Sequence, residues 1–167
     1  QELGEISRLA QRLKKRAPVA LRINPDIDPQ THPYISTGLK KNKFGINLDQ
    51  ALLDYERAQN LAQVEAVGVA CHIGSQITEA EPFQDALKNL TALIGELKSM
   101  GINIRYLDMG GGLGITYADE TPPSLREYAG ALISQLEDMQ LQLVLEPGRV
   151  LVGNAGILVT KVLYRKS

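Results

Sequence analysis

The sequence predicts an α/β protein built on parallel strands, and within that class a (β/α)8 TIM barrel of which about four βα units are present. Three observations carry this. Strand, loop and helix patterns alternate along the 167 residues. The strands are apolar on both faces, as expected where a parallel sheet is covered on both sides. The chemically unusual residues each follow a different strand: Asn24, then His72, then Gly110, Gly111 and Gly112, then Glu146 to Arg149. An open doubly wound sheet gathers its ligand at one switch point, whereas a barrel collects residues from many strand ends around one mouth. That distribution favours the barrel.

Each element has its own signal. Leu3, Ile6, Leu9 and Leu13 recur at helical spacing and predict an amphipathic helix over residues 2–15. Residues 19–23 are a short apolar run ending at Asn24-Pro25, which predicts a buried strand. The polar stretch from Asp26 to about Asn47 carries Pro29, Pro33, Gly38 and Gly45 and reads as a long loop, of the kind that is often functional. Asn47 or Asp49 is placed to cap a helix running through Asn60. Residues 64–73 predict a β-branched strand interrupted by Gly68, and residues 82–100 a helix with Phe83, Leu87, Leu90, Leu93, Ile94 and Leu97 on one face. Residues 102–109 predict a strand running into the glycines. Ser124 and Glu127 have capping-box spacing for a helix to about Met139. Residues 142–145 and 157–164 predict two further strands. There is no fixed-period repeat and no low-complexity segment.

The bulk properties narrow the function classes. The chain is 44% hydrophobic and 22% charged, as in a globular domain with a sizeable core. A formal net charge of −1 offers no basic surplus for nucleic acid or an anionic membrane. The single cysteine, Cys71, rules out an internal disulfide and fits a reducing cytoplasm. No apolar run approaches the roughly 20 residues that span a bilayer, and no signal peptide is visible. The chain opens on Gln1 inside a helical pattern, so it is expected to be a piece of something longer.

Three segments carry chemistry. Residues 110–115, Gly-Gly-Gly-Leu-Gly-Ile, follow a strand directly. Glycines there let backbone N–H groups approach a phosphate, although a plain turn is the alternative. Ile115 occupies the position where Gly-x-Gly-x-x-Gly needs its last glycine, and no Lys-Ser/Thr follows, so neither a Rossmann turn nor a P-loop fits. Glu146-Pro147-Gly148-Arg149 places an acid and a base at a strand's end, either as a turn with a local ion pair or as a site in which Arg149 grips a carboxylate. His72-Ile-Gly-Ser75-Gln76 ends another strand, and a lone histidine is more often a satisfied polar residue than a ligand or base. No metal-ligand spacing involves His32, and no nucleophile elbow is present. Lys40, Lys41, Lys43, Lys98 and Lys161 all lie away from strand carboxyl ends, where a Schiff-base lysine is held.

Together the segments 71–77, 107–115 and 146–149 resemble the signatures of fold-type III pyridoxal-phosphate decarboxylases, whose barrel is of the alanine racemase-like type. Residues 35–38 (Ile-Ser-Thr-Gly), residues 43–46 (Lys-Phe-Gly-Ile) and Gln76 resemble the diaminopimelate branch. The resemblance implies pyridoxal 5'-phosphate as cofactor, a small amino acid as substrate, and a carboxy-lyase converting meso-diaminopimelate to L-lysine and CO2. It implies that His72 stacks on the pyridine ring and that Ser75, Gly110, Gly111 and Gly112 hold the phosphate, with Pro147, Gly148 and Arg149 beside it. Glu146 would pair with the pyridine nitrogen, Arg149 would bind a substrate carboxylate, and Arg22 would lie near the phenolic oxygen. It further implies that residues 1–153 are the second half of the barrel and that residues 154–167 begin a C-terminal β domain. The cofactor's lysine would then lie upstream, the longer protein would be a homodimer, and this chain alone would be inactive. Decarboxylases of ornithine, arginine or carboxynorspermidine, and a non-catalytic binding homologue, remain open alternatives at this point.

Overall fold

In the computed structural model, residues 1–27 and 44–166 are described. The expectations placed on His32, Lys40, Lys41, Lys43 and residues 35–38 fall outside these residues. The periodic segments become helices α1 (Glu2–Arg12), α2 (Leu48–Gln59), α3 (Glu81–Ser99) and α4 (Leu125–Ile133), with a short α5 (Arg149–Val152) that the sequence pattern did not signal. The strands are β1 (Ala17–Asn24), β2 (Ile46–Asn47), β3 (Val64–Ala70), β4 (Tyr106–Asp108) and β5 (Gln142–Val144). All pair in parallel, in the order β2-β1-β3-β4-β5.

Register decides which residues face which way. Leu21, Val69, Leu107 and Leu143 are cross-strand partners in one row, and Arg22, Ala70, Asp108 and Val144 form the next. Successive side chains in a strand point to opposite faces. The first row joins one hydrophobic cluster with Tyr55 of α2, Phe83, Leu87 and Leu90 of α3, and Leu132 of α4. The helices α2, α3 and α4 therefore pack on one face. The other face carries Ala20, Arg22, Tyr106 and Gln142, all exposed. A doubly wound sheet would be covered on both faces. One covered face and one face of small and polar residues is the wall of a barrel with its lumen side showing.

Two details fix the helices to this wall. The Tyr55 hydroxyl, buried under α2, donates to the Gly68 carbonyl at 2.8 Å, and burial pushes its pKa well above the usual tyrosine value. Phe83 and Tyr128 meet edge to face with ring centroids 4.9 Å apart, a geometry worth about 1 kcal/mol beyond area burial. The capping box of α4 forms as expected: Ser124 Oγ accepts from the Glu127 N–H and the Glu127 carboxylate accepts from the Ser124 N–H.

The structure corrects several boundaries. Helix α1 stops at Arg12 rather than 15, with Lys14 in the left-handed region at φ 52°. Asn47 occupies the N-cap of α2 without a side-chain cap hydrogen bond. The strands predicted over 64–73 and 102–109 shorten to β3 and β4, their remaining residues lying in loops whose N–H groups still reach the sheet, Cys71 to the Asp108 carbonyl, Arg105 to Val67 and Met109 to Val144. Helix α4 ends at Ile133 instead of Met139. Residues 157–164 form no strand. They are irregular and exposed, Ile157 by 90% and Leu158 by 91%, because no described strand offers them a ladder. None of the described helices is long and apolar enough to cross a membrane.

Candidate active site

The carboxyl ends of the strands deliver their side chains to one recess on the lumen face. Arg22 comes from β1, Ala70 from β3, Cys71 and His72 from the turn after it, Asp108 from β4 and Glu146 from the turn after β5. A recess at the amino-terminal end, lined by Arg16, Val64, Glu65 and Arg105, gathers none of these groups.

The glycine run is the hub where these turns meet backbone to backbone. The Cys71 N–H donates to the Asp108 carbonyl at 2.8 Å, and the Glu146 N–H donates to the Gly110 carbonyl at 2.8 Å. A Cβ on Gly110 would stand 2.5 Å from the Cys71 carbonyl oxygen, and Cβ atoms on Gly111 and Gly112 would overlap the carbonyls of Glu146 and Gly74. Gly110 and Gly112 also sit at φ 68° and 106°. The glycines are thus required first by the closeness of three loops. Two of their N–H groups are already used inside the junction: Gly110 donates to Asp108 Oδ1 at 2.8 Å and Gly111 to His72 Nδ1 at 3.2 Å.

That last bond sets the histidine. With Nδ1 accepting, the imidazole proton of the neutral ring belongs on Nε2. Burial holds the His72 pKa below the ordinary histidine value, and the Arg22 charge lowers it further, while Glu146 and Asp108 act in the opposite sense. The ring therefore presents a flat, neutral face between a guanidinium and two carboxylates. Cys71 beneath it is inert, its thiol pushed up to about 12 by burial first and by the Asp108 charge second.

A second group lies beside the first. Arg149, the first residue of α5, donates from Nη2 to Ser75 Oγ at 3.0 Å and from Nη1 to the Tyr117 hydroxyl. Its guanidinium lies 5.6 Å from the centre of the Tyr117 ring, and its Nε is buried with no hydrogen-bond partner among the described residues. Gln76, at φ 58°, clamps the neighbouring loop through both amide atoms to the backbone of Ile115, next to the bridge between Ile77 and Leu113. Pro147 is half-buried, and around Gly148 an added Cβ would meet nothing within 4 Å.

The predicted residues thus fall into two adjoining clusters, Arg22, His72 and Glu146 in one and Ser75 and Arg149 in the other, with the glycine run between. Sequence reasoning missed Asp108, Tyr117 and the clamping role of Gln76. Asp108 had one available signal, its place immediately before the glycines; Tyr117 had none, because it meets Arg149 across 32 residues of chain.

These groups fit a flat heteroaromatic ring that bears a phosphate. A neutral imidazole face suits the ring, a carboxylate suits a ring nitrogen, and a hydroxyl and a guanidinium with an unpartnered buried Nε suit an oxyanion. The chain is a member of the pyridoxal-dependent decarboxylase family, whose pyridoxal binding domain matches residues 1–153, and pyridoxal 5'-phosphate is its cofactor. Within the family its relatives are diaminopimelate decarboxylases. It is 54% identical to that of Pseudomonas aeruginosa over 166 residues and 52% identical to that of Haemophilus influenzae over 167, each match taking in 99% of this chain and 40% of the relative. It superposes on diaminopimelate decarboxylase from Helicobacter pylori complexed with L-lysine with a TM-score of 0.85 at 42% identity, covering 89% of this chain and 38% of that one. A lysine decarboxylase from Selenomonas ruminantium follows at a TM-score of 0.72 and 27% identity, with 87% and 37% covered. The chain therefore spans about 40% of the length of the curated relatives it matches.

Proposed function

We propose that this chain is the cofactor-cradling part of a diaminopimelate decarboxylase, which converts meso-diaminopimelate to L-lysine and CO2. Residues 1–153 would be the second half of its barrel and residues 154–167 would lead into a C-terminal β domain. The observation that carries the reading is the convergence of Glu146 and His72, from different strands, on one lumen-side recess.

Pyridoxal phosphate, when bound, supplies an electron-poor ring that takes up the electron pair released as CO2 departs. The chain's residues make that ring effective. The Glu146 carboxylate holds a proton on the pyridine nitrogen, so that the ring stays electron-withdrawing. The neutral face of His72, with its tautomer fixed by Gly111, would stack on the ring. Arg22, whose charge helps keep His72 neutral, lines the same recess and would serve the cofactor's phenolic oxygen. Ser75 and the glycine run contribute to the phosphate site, with Pro147 shaping the turn and Gly148 leaving open space beside it. Since Gly110 and Gly111 spend their N–H groups internally, Gly112 is the glycine of the run best placed to donate outward. Arg149 offers a fork to a substrate carboxylate. The working enzyme would be a cytoplasmic homodimer of the longer chain.

The test uses that longer protein. Glu146→Gln should lower kcat for CO2 release from meso-diaminopimelate by roughly 10²-fold or more, the scale of a lost proton-holding group, with KM changed far less. A variant with wild-type kcat would sink the reading. Turnover of ornithine or arginine in preference to diaminopimelate would redirect the substrate assignment.

A further inference from the structure

We propose that Tyr117 is a positioning residue, which holds the Arg149 guanidinium in the orientation needed to bind an oxyanion. The inference rests on the reading of Arg149 as an acid-binding group.

An arginine side chain is long and rotatable, and its planar fork is selective only when its plane is fixed. Three restraints on Arg149 are visible. Its backbone starts α5, Ser75 Oγ accepts from Nη2 at 3.0 Å, and the Tyr117 hydroxyl accepts from Nη1 while the Tyr117 ring lies 5.6 Å under the guanidinium carbon. Ser75 alone leaves rotation about its single bond. The Tyr117 hydroxyl and ring face supply the second point and the plane. The buried Nε, which has no partner among the described residues, is left as a donor.

Tyr117 can serve this role because its own loop is tied down locally. The Glu120 carboxylate accepts from the N–H groups of Tyr117 at 3.0 Å and Ala118 at 2.7 Å, and Thr116 Oγ donates to the Glu120 carbonyl at 2.9 Å. On the other side Gln76 clamps Ile115. A side chain that is 64% exposed is thus held by a closed turn rather than by core packing. Replacing it should leave the fold intact, which makes the inference testable.

The experiment is a double-mutant cycle in the holoenzyme of the longer protein, with Tyr117→Phe, Arg149→Lys and the pair. Tyr117→Phe should raise the KM for diaminopimelate about 10- to 100-fold, the loss expected for one hydrogen bond to a charged group, with kcat within about twofold and an unchanged melting temperature. Tyr117→Leu, which also loses the ring face, should raise it further. Affinity of the apoenzyme for pyridoxal phosphate is measured in parallel. If it falls instead of the KM rising, the oxyanion is the cofactor's phosphate, and Tyr117 still acts through Arg149. In the Arg149→Lys background, which has no fork to position, Tyr117→Phe should have no further effect. An equal effect in both backgrounds would overturn the proposal, as would a Tyr117→Phe enzyme with wild-type KM and cofactor affinity. Should Arg149→Lys alone change neither quantity, the acid-binding reading of Arg149 fails first and separately, and the role of Tyr117 with it.

Discussion

His72 answers to three neighbours, and each can be removed. Burial is the main force that keeps it neutral, the Arg22 guanidinium assists, and Glu146 and Asp108 oppose. Its imidazole, followed by NMR against pH, should titrate below an ordinary histidine. Arg22→Met should move the midpoint up and Glu146→Gln should move it down. A midpoint that ignores both substitutions would mean the recess does not couple them. The sign for stability follows. The unfolded chain binds the proton at a higher pH than the folded one, so the contribution of a neutral His72 is full above the ordinary histidine value. It is lost as pH falls from there through the folded value. Cys71, 3% exposed and with its thiol raised to about 12, should resist an aromatic disulfide reagent at pH 8 and react once the protein is unfolded in urea. At this scale the sequence was partly legible. His72 and Glu146 stood out because they end strands. Tyr117 did not, since its importance lies in a long-range contact that no local pattern encodes.

Two glycines separate packing from binding at the level of elements. Gly111 is where the turn after β4 passes against the Glu146 carbonyl, and Gly148 opens onto empty space. Gly111→Ala should destabilise the protein by several kcal/mol, because backbone rather than a flexible side chain must yield. Gly148→Ala should change stability by less than about 0.5 kcal/mol in chemical denaturation, yet weaken pyridoxal phosphate binding if the cofactor nestles there. Comparable losses of stability from both would show that Gly148 is needed for the fold. The longer helices were readable from their 3.6-residue period, and the α4 cap from Ser124 and Glu127. Strand ends were not, because the apolar run continues past the ladder: Cys71, Ile73 and Met109 are buried in loops instead. The two-residue β2 is set wholly by its neighbour, with Gly45 passing against Asn24 of β1. Residues 157–164 show the converse, an apolar β-branched run that stays irregular because none of the described strands pairs with it.

The molecule as a whole is a five-stranded parallel sheet with two free edges among the described residues, and that has consequences that neither residues nor elements show. Its helices cover one face of the sheet, while the row of Ala20, Gly68, Tyr106 and Gln142 looks out from the other. That row is what a closed barrel packs inside itself in layers. The outer edges of β2 and β5 carry backbone groups that a neighbouring strand would satisfy. In addition, Ile157, Leu158, Val159, Val162, Leu163 and Tyr164 form a run of exposed apolar side chains. Among the described residues that line the recess there is no lysine, so none of them can carry pyridoxal phosphate covalently. The 167-residue chain made alone should therefore self-associate, with a sedimentation mass above that of a monomer and binding of a hydrophobic dye. It should also release no CO2 from diaminopimelate when the cofactor is supplied. The longer protein should lose the dye binding and gain the turnover together, since the strands that close the barrel also bury its lumen. A monomeric 167-residue chain with robust turnover would overturn the assignment of this face as lumen. An associated chain that is nonetheless active would place a complete site on this sheet, and would move the search for the covalent lysine to residues 28–43, which hold Lys40, Lys41 and Lys43.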